Sequence, residues 1–217
     1  MKLGLLLAFL TAATLLSACA AQTTPPVATI GPDGLREVRS KAFDTALVRP
    51  DVDFGRYREV LINRAELAFV TPDRSKRQFP LSEQQKERFR ELLDAKFAAE
   101  LASSKTLQVA AVPGPVALEL HVRVQDIIAT VPPRAVGRGW GGIALEALGE
   151  ATLVIELRDS ESEEILARVF NRRTVDGIAV AQKQGTPITR WEDIETVCAR
   201  WAALVRERLD AIVSEQY

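Results

Sequence analysis

Residues 116–127, VALELHVRVQDI, alternate between two kinds of side chain. Val116, Leu118, Leu120, Val122 and Val124 fall on one side, and Glu119, His121, Arg123 and Gln125 on the other. A period of two belongs to an extended strand, whose successive side chains point to opposite faces. One apolar and one polar face mark a sheet packed on one side and wetted on the other, the ordinary condition of antiparallel sheets.

The pattern recurs downstream. EATLVIELRD (150–159) puts Ala151, Leu153, Ile155 and Leu157 inward, SESE (160–163) turns the chain, and EILARVFNRRTV (164–175) pairs back as a hairpin. Upstream, REVLINRAELAF (58–69) reads as one strand, TPDRSKRQFP (71–80) as a charged loop, and TLQVAAV (106–112) as a short strand ended by PGP. Two segments change to a helical period. Ser82 and Gln85 form a capping box ahead of a stripe of Phe89, Leu92, Leu93, Phe97 and Leu101. Thr189 and Glu192 repeat the box ahead of Ile194, Val197, Cys198, Trp201, Val205 and Ile212. The expected fold is α+β, in the order β-α-β-β-β-β-α. A largely antiparallel sheet of four to five strands is covered on one face by two amphipathic helices.

The chain opens with Met1 and Lys2, followed by a charge-free apolar run from Leu3 to Leu16. A membrane-spanning helix needs about 20 apolar residues, so this run fits the hydrophobic region of a signal peptide better. It ends Leu16-Ser17-Ala18-Cys19, which resembles the bacterial lipobox L-[AS]-[AG]-C at all four positions. The resemblance implies cleavage before Cys19, a diacylglycerol on its sulfur and an acyl chain such as palmitate on its new amino group. Two or more long chains give stable anchoring. Ala20, in place of Asp, implies outer-membrane sorting in a Gram-negative host. AAQTTPPVATIGPDG (20–34) is small, polar and rich in Pro and Gly, the composition of a flexible tether. The expected division is a signal peptide at 1–18, a lipidated tether at 19–40 and a single α+β domain at 41–217.

Composition narrows the function. Hydrophobic residues make up 47% of the chain, enough for a core and against general disorder. The net charge of −1 offers no basic surplus for nucleic acid. The two cysteines are Cys19 and Cys198. With Cys19 acylated, no intramolecular disulfide remains, and Cys198 lies on the apolar stripe of its helix, a packing position.

Catalytic signatures are sparse. His121 is the single histidine, placed on a polar strand face, so a site built on several His ligands has no partners to draw on. H-E-x-x-H and G-x-S-x-G are absent. Gly137, Gly139 and Gly142 in GRGWGG satisfy G-x-G-x-x-G, with Asp159 downstream. Only IALEAL separates them from Gly149, too short a crossover for a dinucleotide-binding unit. PPRAVGRGWGGIALEALG (132–149) reads instead as a long loop. Its Trp140, Ile143 and Leu145 either pack on the sheet edge or form a contact patch for a partner or lipid. Glu161, Glu163 and Glu164 read as a solvated turn, and Arg172 and Arg173 beside Asp176 as surface charges.

Four stretches together resemble a known family: the lipobox, YREVLINRAELAF (57–69), LSEQQKERFRELLDAKFAAELA (81–102) and GPVALELHVRVQDIIATVPP (114–133). They are similar to bacterial lipoproteins carrying domain of unknown function 3313, over about residues 40–178 and the last helix. The resemblance implies an exported lipoprotein and supplies no catalytic residues. The layout is also similar to auxiliary lipoproteins of envelope transport systems, an analogy of fold alone. The expectation is a non-enzymatic binding or adaptor protein, anchored in the outer membrane through Cys19 and facing the periplasm. Its partners are the membrane and an envelope protein, met at a sheet edge or the 134–148 loop. No metal, nucleic acid or cofactor is expected beyond the diacylglycerol and acyl chain on Cys19. The alternative is a carrier or sensor of lipid or glycan, with a pocket between helices and sheet.

Overall fold

The computed structural model describes residues 30–71, 79–127, 130–131, 151–173 and 191–214. Along the chain come β1 (Arg36–Val38), β2 (Thr45–Val48), a 3-10 turn (Phe54–Arg56), β3 (Glu59–Ile62), β4 (Glu66–Phe69) and β5 (Phe79–Pro80). After α1 (Glu83–Ala102) follow β6 (Gln108–Ala110), β7 (Ala117–Ile127), β8 (Thr130–Val131), β9 (Ala151–Asp159), β10 (Ile165–Arg173) and α2 (Trp191–Ser214). Among the described residues, eight strands form one sheet in the order β1-β2-β10-β9-β7-β3-β6, with β4 also on β7, and β5 pairs separately with β8.

The alternating stretch is the spine of this sheet. β7 pairs antiparallel with β9 from Leu118↔Asp159 to Gln125↔Thr152. Leu118, Leu120, Val122 and Val124 are buried, as are Ala151, Leu153, Ile155 and Leu157 of β9. Val116 departs from the expected row at 38% exposure. The strand begins one residue later, and the Val116 carbonyl instead accepts the N–H groups of Arg58 and Glu59 at 2.9 and 3.1 Å. At the far end the β4 pairing slips between Leu67↔Val124 and Phe69↔Ile127, and Asp126 takes φ 60°. One extra residue in a strand makes a bulge that re-aims the side chains beyond it. Ile127, rather than Asp126, therefore turns inward, at 0% exposure.

The sheet is mixed and larger than the expected four to five antiparallel strands. β3 runs parallel to both β6 and β7, and β4 runs parallel to β7. The reason is the position of α1: a helix between two strands carries the chain back to its starting end, so the next strand enters in the same direction. The expected strand 58–69 is two strands on one edge of β7. The Asn63 N–H still donates to the Leu120 carbonyl at 3.0 Å, but the Ala65 N–H donates to Asp94 Oδ1 of α1 at 2.8 Å. The helix thus takes a backbone donor from the ladder. β1 and β2 span three and four residues, too few to display a period. β1 lies inside the stretch assigned to the tether, and the adjoining Leu35 is 2% exposed.

Both helices follow their stripes. Ser82 caps α1, its hydroxyl accepting the Gln85 N–H while the Gln85 side chain accepts the Ser82 N–H, a complete capping box. Phe89, Leu93, Phe97 and Leu101 are buried, and Leu92 is half-buried. In α2, Ile194, Cys198, Trp201 and Val205 are buried together with Ala202, Leu209 and Val213, while Val197 and Ile212 pack partly exposed. Thr189 lies outside the described residues. Side chains from the two helices and the inner sheet rows form one hydrophobic cluster. Each fully buried Leu, Ile or Phe in it contributes roughly 1.5–3 kcal/mol.

Candidate functional site

The sheet face turned away from this cluster carries paired charges. Glu156 of β9 accepts Arg158 Nε and Arg168 Nε, each at 2.7 Å, and Arg168 reaches Asp33 Oδ2 at 2.8 Å. Glu119 of β7 accepts Asn63 Nδ2 at 2.7 Å and lies 3.2 Å from His121 Nε2. Arg123 pairs with Glu66 at 2.8 Å through its Nε. Burial acts to raise the Glu156 carboxyl, and the hydrogen bonds from Arg158 and Arg168 outweigh it, leaving it below the usual carboxylate range. Burial likewise acts on Glu119, outweighed by Asn63 and His121. His121 is therefore a member of a polar cross-strand network, as its place on the polar face implies.

A second cluster joins three distant segments at the end of the sheet. Asp159, at the end of β9, accepts the Tyr57 hydroxyl at 2.8 Å and an Arg56 guanidinium N–H through Oδ2. Its Oδ1 accepts the Glu161 and Ser162 N–H groups at 3.1 and 2.9 Å and the Ser162 hydroxyl at 3.0 Å. The neighbouring Ser160 hydroxyl donates to the Gly114 carbonyl at 2.9 Å. Burial works to raise the Asp159 carboxyl, but the bonds from Ser162, Tyr57 and Glu161 hold it far below the usual range. Burial, with the bond to Asp159, pushes the Tyr57 phenol up to about 12. Neither residue belongs to a recognised motif; Asp159-x-x-Ser162 at a hairpin turn was the available signal, as an Asx-type turn.

The chemistry open to these groups is restricted. A general acid or base works best with a pKa near the operating pH. Tyr57 stays protonated, Asp159 stays ionised and saturated with donors, and burial pushes the Cys198 thiol up to about 12. Cys198, at 0% exposure, is a core residue, in line with its place on the helix stripe. Among the described residues, no group of three or more His, Cys, Asp or Glu is placed to hold a metal ion. No described helix is long and apolar enough to cross a membrane.

Two concavities stand out among the described residues. One of about 280 Å³ lies between β1, β2, the segment after β2 and α2, walled by Val38, Val48, Val52, Phe54 and Ile212, with Arg36 and Asp51 also lining it. A wider, open groove of about 540 Å³ runs along the α1–α2 seam, where Lys96 and Glu195 pair at 2.6 Å. The sheet edge at β6 is apolar instead: Val109 is 47% exposed and Val112, in the loop that follows, 68%. The residues singled out for contact, Trp140, Ile143 and Leu145, lie outside the described residues, as do Cys19 and Gly137, Gly139 and Gly142. Glu161, Glu163 and Glu164 sit in the β9–β10 turn, where Glu164 pairs with Arg49 at 3.3 Å. The Arg172 N–H donates to Asp44 Oδ2 at 2.6 Å.

The family model described as "Protein of unknown function (DUF3313)" matches residues 28–205, and the chain belongs to that family. No curated protein matches the chain. Among solved structures, the PelC dodecamer from Paraburkholderia phytofirmans is similar at 12% identity and a TM-score of 0.36, over 78% of this chain and 96% of that one. A putative neuraminyllactose-binding hemagglutinin homolog from Helicobacter pylori is similar at 11% identity and a TM-score of 0.37, over 74% and 84%. A DUF4136 family protein from Bacteroides thetaiotaomicron is similar at 9% identity and a TM-score of 0.39, over 83% and 97%. Likenesses at this level carry no functional argument.

Proposed function

We propose that this DUF3313 chain is a lipid-anchored envelope protein that acts by binding, as an adaptor for a protein partner, and performs no chemistry of its own. The observation that carries the reading is Leu16-Ser17-Ala18-Cys19 at the end of the charge-free run from Leu3. A thiol preceded by small residues at that place is what lipid transfer and cleavage require. The diacylglycerol and acyl chain on Cys19 hold the domain at the outer membrane, facing the periplasm. Tyr57, Asp159 and Cys198 are all driven away from neutrality, which suits none of the three to acid–base work at neutral pH.

The test is the full chain and its Cys19→Ser variant in a Gram-negative host. Wild type incorporates labelled palmitate and fractionates with the outer membrane; the variant loses both. Equal labelling of the two proteins overturns the anchor. In-cell crosslinking followed by solubilisation then recovers a reproducible envelope complex if the adaptor reading holds. The carrier reading has one observation in its favour, the cleft beside Phe54 and Ile212, where apolar side chains meet Arg36, Arg49 and Asp51. It requires a co-purifying small molecule, and native mass spectra of bare protein count against it.

A further inference from the structure

We infer that the cleft beside Phe54 and Ile212 binds a single hydrocarbon chain ending in a carboxylate, with Arg36 holding the head. This gives the carrier reading above a ligand class, and it rests on that reading rather than on the adaptor.

The register of the sheet brings Arg36 to the cleft. Residues directly opposite on antiparallel strands share a face. Leu157, Ala167, Val48 and Arg36 stand opposite one another in turn across β9, β10, β2 and β1, and Ile155, Val169, Ala46 and Val38 make the next row. Leu157, Ala167, Ile155 and Ala46 are buried, and Val48 and Val169 pack against the core. Both rows therefore lie on the inner face of the sheet, and the first of them ends on a cation. The cleft opens at these row ends, with Val38 and Val48 on one side and Val52, Phe54 and Ile212 closing it. Arg36 is exposed, and its side chain makes no hydrogen bond or ion pair among the described residues.

The remaining charges select the head group. Arg49 also lines the cleft, but its guanidinium is committed: it donates to the Ile165 carbonyl at 2.8 Å and the Asp33 carbonyl at 3.0 Å, and pairs with Glu164 at 3.3 Å. One free guanidinium suits one anion, and a carboxylate fits its fork with two parallel hydrogen bonds. Asp51 lines the cleft as well, at φ 62°, the kind of left-handed backbone that gathers at ligand sites. Its carboxylate works against any second negative charge on the ligand, which sets a doubly charged phosphate head at a disadvantage.

Size selects the chain. The cleft holds about 280 Å³. At about 30 Å³ for each water-sized group, that is room for roughly nine methylene-sized groups, a chain of medium length.

The experiment exposes the full chain, in membranes of expressing cells, to decanoic acid, decanol and decylamine, each carrying the same photoreactive diazirine. Wild type is expected to take the acid label severalfold over the other two, in peptides holding Val38, Val48, Phe54 or Ile212, and unlabelled decanoate is expected to compete it away. Arg36→Gln is expected to lower acid labelling about tenfold, the loss of one charge-assisted pair. Asp51→Asn is expected to raise it, a gain that no loss of folding can imitate. Arg39→Gln, outside the cleft, is expected to leave it unchanged. An inward charge on an edge strand also guards against pairing with other chains. If that is the whole role of Arg36, Arg36→Gln self-associates and labels like wild type, which overturns the inference. It is equally overturned if the alcohol or the amine labels the cleft as strongly as the acid, or if the acid label maps elsewhere. Cleft labelling that ignores the head group leaves the carrier reading standing, whereas no cleft label from any probe removes both.

Discussion

Asp159 shows how a single side chain can tie a fold together without catalysing anything. It meets Arg56 and Tyr57 across about 100 residues of sequence and its own turn through Ser162. Tyr57→Phe keeps the ring and removes one donor to a buried carboxylate. The expected loss is about 1.5–3 kcal/mol in urea unfolding, the range for hydrogen bonds to charged groups. The pH dependence rests on the two directions of shift. Asp159, Glu156 and Glu119 have depressed folded-state pKa values, so their contribution is present above about pH 4, the ordinary carboxylate value, and fades as pH falls below it. Tyr57 is raised from 10.0 to about 12, so its contribution is present below pH 10 and lost as pH climbs from 10 towards 12. Chemical unfolding across pH should show both flanks; Tyr57→Phe should reduce the alkaline one, leaving the part owed to the buried Cys198 thiol, and should make the acid one shallower because the Tyr57 hydroxyl helps hold Asp159 ionised. None of this was legible in the sequence. Tyr57 and Asp159 acquire their relation through the sheet; in one dimension the Asp159-x-x-Ser162 spacing signals the turn and not the contact with Tyr57.

Elements long enough to display a period were legible, and of the short ones β6 was read within 106–112 while β1 and β2 were not. β7, β9 and the two helices each repeat their pattern several times, and their buried rows follow it. β1 and β2 have three and four residues and are held by neighbours rather than by an alternation of their own. The break between β3 and β4 escaped because its cause, Asp94, sits on a helix about 30 residues away. Two substitutions separate local from tertiary control. Ser82→Ala removes a capping hydroxyl and should cost about 1 kcal/mol. Asp94→Ala leaves the Ala65 N–H buried without its acceptor and should cost about 1–3 kcal/mol. Amide hydrogen exchange should then speed up at Ala65 in the second variant and near the start of α1 in the first.

At the scale of the whole molecule, the sequence conveyed a layered α+β domain and missed the parallel half of its sheet. The order of strand and helix already contained that half, since β3, α1 and β7 form a crossover; alternation alone reports burial and not direction. The strand order also has a consequence in time. β1 and β2 are the first strands made, yet they rest on β10, and Asp33 meets Arg168 across 135 residues. A chain emerging from a ribosome or a translocation pore N-terminus first cannot close this sheet until nearly all of it has come through. Non-local pairing of this kind is the slow part of folding. The β1–β2 pair can form early, but its outer edge waits for β10, and the sheet stays open until late in synthesis.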